Sequence, residues 1–414
     1  MAKVIDEKDI IFQQEKMGMG FMVTVLVVMM TIQWMTLDMY LPALPVLKDE
    51  FGASEEALNV SLNTDLFFCG AGMLISGTIS DKYGRKSIMI LGLVLSMIGL
   101  FLAPLSKGVV FLSLMRGLCG LGGGFSLTVA AAIVRDSFEG QTFQIVTTIT
   151  QAVAIIGPVF APAIGSFLIE YLSWRWIFLT LGFATLITLL PFIVFTETWP
   201  RERRHISSVL QATMQSFAFV KNRDYVIFIT MVLFLTLPLW AYIATCSYIY
   251  YETFGVSNTE YSILYATGTM SAFVAPFIYI WISRKSSNRR VMELVFALML
   301  FSVAAFVFIA GKSPILFLIA AIPVIMVEAI VRSMAMVVVL DEHPEEAGSA
   351  SSITGFVLTA VSVIATSIAT LNWPSFIMSI AVITAASVAI GIAFWVLIIR
   401  KQVYASQLGI RKDR

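Results

Sequence analysis

A chain of 414 residues that is 58% hydrophobic and only 13% charged carries more apolar surface than a soluble globule can bury, since soluble domains run at about a quarter charged and under half apolar. Its net charge of +1 offers no basic face for nucleic acid. Cys69, Cys119 and Cys246 are odd in number, far apart and each inside an apolar run, which excludes a disulfide framework and a zinc site.

A helix crosses a hydrocarbon core of ~30 Å with about 20 residues. Apolar stretches of at least that length fall at 17–43, 57–80, 87–106, 108–134, 141–169, 174–196, 225–251, 258–283, 290–310, 314–340, 347–371 and 375–399. Asn372, Trp373 and Pro374 supply the turn that divides the last two. The reading is an all-α membrane protein of twelve transmembrane helices. Asp6, Glu7, Asp9 and Glu15 precede span 1 and no small-residue cleavage site follows it, so span 1 is expected to be retained.

The longest polar interruption, from Thr196 to Asp224, contains Arg201, Arg203, Arg204 and His205. It divides the chain into an N-terminal segment 1–16, a six-helix bundle 17–197, a linker 198–224, a second six-helix bundle 225–400 and a tail 401–414, two pseudo-symmetric halves. Basic clusters after span 2 (Asp81 to Lys86) and after span 8 (Arg284 to Arg290) repeat the theme. Lys82, Arg85, Lys86, Arg203, Arg223, Arg289, Arg290 and Arg400 gather on the side of the termini, against Lys48, Lys107, Arg175 and Lys312 on the other. Both termini are therefore expected in the cytoplasm.

Three segments narrow the reading. Gly77-Thr-Ile-Ser-Asp81-Lys-Tyr-Gly84-Arg85-Lys86 resembles the signature of the major facilitator superfamily between helices 2 and 3, G-x-x-x-D-[RK]-x-G-[RK]-[RK]. Here Gly77 would let helices approach, Gly84 would permit a tight turn and Asp81 would meet a cation or a helix N-terminus. Arg116-Gly-Leu-Cys119-Gly120-Leu-Gly122-Gly123 is similar to the helix 4 motif R-x-x-Q-G-x-G-[GA], with Cys119 where Gln is usual. Gly157-Pro158-Val-Phe-Ala161-Pro162-Ala-Ile-Gly165-Ser166 is similar to the helix 5 antiporter motif G-P-x-x-G-P-x-x-G-G, with Ala161 and Ser166 replacing two glycines. Leu37-Asp38-Met39-Tyr40-Leu41-Pro42, Trp174-Arg175 and Ala347-Gly348-Ser349-Ala350 complete a likeness to the drug/proton antiporter branch, closest to the Bcr/CflA-type multidrug and chloramphenicol exporters. That resemblance implies a monomeric carrier in the bacterial cytoplasmic membrane. It would export lipophilic drug-like molecules in exchange for protons, with its gate at the helix 2 to 3 motif.

Asp38, Asp65, Arg116, Glu328 and Arg332 are ionisable groups inside spans, where charge costs at least ~2.5–3.5 kcal/mol and needs a partner. Counted from the flanking Pro45, Glu56 and Lys107, the first three lie roughly 10–14 Å below one surface. The family resemblance makes Asp38 and Arg116 neighbours, so proton coupling is assigned to Asp38 with Arg116, and to Asp65 as auxiliary. Structural use competes with each assignment: Asp38 at a helix break ahead of Pro42, Asp65 as a tether between helices. Glu328 and Arg332, four apart, can neutralise each other on one helix face or shape a cavity's field. Trp34, Tyr40, Trp240, Tyr242 and Tyr248, with Glu328, are the candidate substrate wall, whereas Tyr250, Tyr251 and Glu252 read as interfacial.

The two histidines, His205 and His343, lie between spans, and Gly311-Lys312-Ser313 lacks the first glycine of a phosphate loop, Phe306 standing in its place. No enzyme, metal site or cofactor is expected. A proton-coupled symporter or facilitator for a small nutrient is the alternative transport reading, and the partial helix 5 motif favours export. The orientation is testable: a cysteine at Ser207 should resist an impermeant external thiol reagent in intact cells, and ready labelling there overturns the topology.

Overall fold

A computed structural model describes residues 7–14, 16–200, 202, 221–285, 287–342, 347–404 and 408. Arg201, Arg203, Arg204, His205, Ser207 and His343 lie outside the described residues. Twelve long helices are found among the described residues: α1 (Met19–Asp38), α2 (Glu55–Tyr83), α3 (Arg85–Leu102), α4 (Val109–Ser137), α5 (Gly140–Tyr171), α6 (Arg175–Leu189), α7 (Arg223–Tyr248), α8 (Asn258–Lys285), α9 (Asn288–Phe308), α10 (Pro314–Glu342), α11 (Ala347–Ala369) and α12 (Phe376–Lys401). Each falls on one of the expected spans, because in lipid every backbone polar group must be satisfied within its own segment. Ten helical stretches are individually long and apolar enough to cross a membrane.

The chain forms two compact units, Met1–Met214 and Gln215–Arg414. In the first, α4 packs against α2 and α3, α1 against α5, and α3 against α6; in the second, α10 packs against α8 and α9, α7 against α11, and α9 against α12. The pairings match when six helices are added to each index. The internal repeat is therefore plainer in packing than in sequence.

The two units reach their packing differently. Apolar side chains gain nothing by leaving lipid for a neighbouring helix, so close backbone approach has to supply the contact. In the first unit glycines allow it. A Cβ built at Gly120 would lie 2.0 Å from the Asp65 carbonyl oxygen, at Gly124 2.2 Å from that of Cys69, and at Gly122 2.3 Å from that of Gly92. Thus α4 touches α2 along Gly117, Gly120 and Gly124, and α3 along Gly122. Cys119, smaller than the Gln it replaces, fits over Gly99 of α3. The second unit uses rings instead: Phe317 on α10 contacts Tyr242, Tyr250, Phe254 and Phe306.

α1 is broken where the sequence carries Pro42 and Pro45. It ends at Asp38, passes through a 3-10 turn at Leu41–Ala43 and resumes as a short helix, Leu44–Phe51. A methyl group at Gly120 or Gly124 meets backbone rather than a yielding side chain, so Gly120→Ala and Gly124→Ala should destabilise by about 1–3 kcal/mol. Gly77→Ala, whose new methyl meets nothing nearer than Thr128 at 4.0 Å, should be neutral. Thermal unfolding in detergent separates the three, and equal melting temperatures refute the packing account.

Candidate functional site

At the break in α1 the Tyr40 amide bonds back to Leu37, three residues away, rather than to Thr36. The Thr36 carbonyl thus loses its usual helical donor, one of the orphan acceptors of a helix C-terminus. Arg116, fully buried on α4, fills the vacancy, its Nη1 donating to Thr36 O at 2.8 Å. Its Nη2 lies 3.3 Å from Oδ2 of buried Asp65 on α2. Its plane stands over the Tyr40 ring with 4.6 Å from the guanidinium carbon to the ring centre, and the Tyr40 hydroxyl pairs with Ser61 at 2.8 Å. Asp65 Oδ1 and Arg116 Nε and Nη2 make no hydrogen bond, so Asp65 and Arg116 meet as an ion pair.

The family resemblance makes Asp38 the neighbour of Arg116; the structure adds an ion pair between Arg116 and Asp65, with α1 contributing the Thr36 carbonyl and the Tyr40 ring. The reason is the Gly120 contact: with α4 pressed on the Asp65 carbonyl, Arg116 one turn earlier on the same helix face meets the Asp65 side chain. Asp38 is buried two residues beyond Thr36. The stretch of α1 that carries it is flanked by the helix 5 motif, where Gly157 faces Thr31 and Met35, Gly165 faces Met39 and Pro42, and Ala161 is fully buried. Pro158 and Pro162 lie inside α5 between them.

A second polar network closes the other end of the first unit. Gly84 joins α2 to α3 with φ 97°, a conformation that other residues adopt only with strain. The buried Arg85 donates through Nε to Asp136 at 2.8 Å, through Nη1 to Ser80 at 2.6 Å, and pairs with Asp81. The Glu197 carboxylate accepts from the Arg85 and Lys86 amides at 2.8 and 3.2 Å, capping α3. Lys86 Nζ reaches the carbonyls of Ile193 and Phe195 at 2.8 Å each. Trp199 donates its indole N–H to Asp81 O at 3.0 Å and lies under the Arg85 guanidinium. Gly77 serves no close helix approach among the described residues, Thr128 being the one atom contact within 4 Å of a Cβ built there.

Asp136, Glu197 and Trp199 were not singled out from the sequence. Their only signal there is an acid or an amphipathic ring at the end of an apolar run. On the opposite side of the first unit Glu50 accepts from Trp174 Nε1 at 2.6 Å and from Arg175 at 2.7 Å, which gives Trp174-Arg175 a structural task.

In the second unit Arg332 Nε donates to Glu328 at 2.6 Å, so the pair read from i, i+4 spacing is formed. Tyr242 packs on Phe317 and Tyr248 on Phe376, and Trp240 is buried. Trp34 packs half-buried against the core of the first unit. Tyr250, beyond the end of α7, is fully buried against Tyr261 and Phe317. It lies in a π-helical turn at Ile249–Thr253, where the Phe254 amide bonds to Ile249 O at 3.1 Å.

Two six-helix units with ionised groups neutralised inside the spans define a multi-pass helical membrane protein. The family model of the Major Facilitator Superfamily matches residues 26–366, and the chain belongs to that superfamily. It is 27% identical over 270 residues to the Uncharacterized MFS-type transporter YdgK of Bacillus subtilis (strain 168), covering 64% of this chain and 66% of the relative. It is 27% identical over 245 residues to the Multidrug resistance protein MdtL of Klebsiella pneumoniae (strain 342), covering 58% and 61%. These matches span under two thirds of either relative's length. The Bicyclomycin resistance protein homolog of Haemophilus influenzae is 25% identical over 338 residues, 79% of this chain and 83% of the relative. Solved structures agree on the fold: a D-xylose-proton symporter superposes with TM-score 0.69 over 90% of this chain and 97% of its own at 15% identity. The nucleoside transporter NupG does so with TM-score 0.71 over 91% and 99% at 14% identity.

Removing one partner of a buried ion pair strands the other charge. Arg116→Ala should therefore cost about 3–5 kcal/mol of stability. Adding Asp65→Asn should restore part of it, because the stranded charge is gone. Thermal unfolding of the two single variants and the double variant in detergent reads this coupling; strictly additive losses sink it.

Proposed function

We propose that this chain exports lipophilic drug-like molecules in exchange for protons, by alternating access, from the bacterial cytoplasmic membrane with both termini cytoplasmic. The observation that carries the reading is the Asp65–Arg116 ion pair held under the break of α1, with one carboxylate oxygen and two guanidinium nitrogens, Nε and Nη2, left without hydrogen bonds. A carboxylate buried in lipid has two stable conditions, paired with a cation or neutralised by a proton. Displacing Arg116 from Asp65 therefore exchanges a salt bridge for a bound proton.

Asp38, on the neighbouring helix end, is the second carboxylate within reach of the same displacement. A lipophilic molecule that takes up the guanidinium through its own dipole competes with the proton, and that competition couples the two flows. The names of the MdtL and bicyclomycin resistance relatives support drugs as the cargo. The helix 5 motif along the Asp38 stretch supports exchange rather than uptake. Arg85, Asp81 and their partners form the gate in this reading, and Trp34, Tyr40, Trp240, Tyr242, Tyr248 and Glu328 remain the candidate substrate contacts.

The test is drug-evoked proton release from purified protein in detergent between about pH 6 and pH 9. Asp65→Asn and Asp38→Asn should each reach the membrane and still bind drug. Each should lose release, because an amide cannot cycle its charge. Release at the wild-type level in Asp65→Asn removes it as a carrier and leaves Asp38, and wild-type release in both variants ends the coupling proposal.

A further inference from the structure

We infer that Gln14, from the segment ahead of the first span, is a positioning residue for the gate at the helix 2 to 3 motif, acting through Thr196 and Glu197. The inference rests on reading that motif as the gate. After α6 the chain leaves regular helix, and the peptide units around Thr196 have no helical ladder to fix them. Gln14 supplies one: its Nε2 donates to Thr196 O at 2.9 Å while its Oε1 accepts from Thr196 N at 2.9 Å. The side chain is 2% exposed, so these two bonds are made away from water and are specific in geometry.

The residue that follows Thr196 is Glu197, whose carboxylate caps the first two amides of α3, and two further on is Trp199, which holds Asp81 O and underlies Arg85. Three consecutive links thus run from Gln14 to the charged pair of the motif. None of them involves a flexible surface side chain.

Gln14 is itself held. The segment pairs with the turn between α4 and α5 through an antiparallel bridge between Ile10 and Phe138. The Ile11 amide bonds to Ser137 O at 3.0 Å, and Asp9 O accepts from the Glu139 amide at 2.9 Å. The Asp9 carboxylate accepts from the Thr142 amide at 2.9 Å, in the first turn of α5. Ser137, whose carbonyl accepts from Ile11, immediately follows Asp136, the other partner of Arg85. Both acids that fix Arg85 from outside its own motif, Asp136 and Glu197, are therefore adjacent in chain to points at which the N-terminal segment is bonded. The segment works as a clasp that holds the two acids in one register.

The experiment is hydrogen exchange at the Arg85 and Lys86 amides of the full chain in detergent, with uptake of ethidium into proteoliposomes as a parallel readout. Gln14→Ala should speed exchange roughly five- to tenfold, the equivalent of one net hydrogen bond, as should Glu197→Ala. The double variant should be no faster than Glu197→Ala alone. Dye turnover should fall in the same non-additive way with KM unchanged. Asp9→Ala should behave like Gln14→Ala and Asp9→Asn like wild type, since the amide oxygen still accepts from Thr142; this pair keeps the test open if Gln14→Ala fails to insert. Additive effects, or exchange unchanged in Gln14→Ala, overturn the clasp. Non-additive exchange in a protein whose wild type moves no dye supports the clasp and counts against ethidium-type cargo alone.

Discussion

The backbone of α4 lies against the Asp65 carbonyl because position 120 has no side chain, and the charged centre follows from that contact. Arg116 is fully buried beside this contact, so its charge needs a partner, and Asp65 supplies one. The proline break of α1 then supplies the rest, a carbonyl without its donor and a ring for the guanidinium face. Small residues, a broken helix and a buried cation are thus one arrangement. Each would be costly alone: glycine weakens a helix, a break strands backbone groups, and a charge in hydrocarbon needs neutralising.

The two units solve the same packing problem with different materials, which bears on what each can do. Backbone-to-backbone contact through Gly120, Gly122 and Gly124 leaves little there that can repack. A cluster of Tyr242, Tyr250, Tyr261 and Phe317 packs through rings, so its contacts are made by side chains. The charged centre of the first unit thus sits beside backbone contacts, and the ring cluster of the second does not depend on them.

Span positions were legible in the sequence because a bilayer enforces length and apolarity residue by residue, and the end of α1 was legible from Pro42 and Pro45. The Glu328–Arg332 pair was legible because four residues make one helical turn. The Asp65–Arg116 pairing was not. Depth alone ranks Asp38 and Asp65 equally, and the choice depends on rotation about the helix axes, which the glycine contacts fix only once the helices are assembled. The π turn at Ile249–Thr253 had no sequence signal, since apolar periodicity does not mark one added residue at a helix end. Glu197 and Gln14 carried no periodic signal, being polar residues in polar segments whose partners lie more than a hundred positions away in sequence.

The helix α4 carries one member of each polar network, Arg116 near one end and Asp136 at the other, about 30 Å apart by the rise of an α-helix. Between them it is in backbone contact with α2 at Gly120 and Gly124 and with α3 at Gly122. Sliding α4 along either neighbour would carry side chains into these carbonyl oxygens over about one helical turn, so α2, α3 and α4 are locked together there. The parts of the first unit that can move against this block are those joined to it by side chains: the broken end of α1 through Arg116, and the segment after α6 through Glu197 and Gln14. These are the places where ionised groups stand. A change of charge at either therefore alters a joint rather than the block.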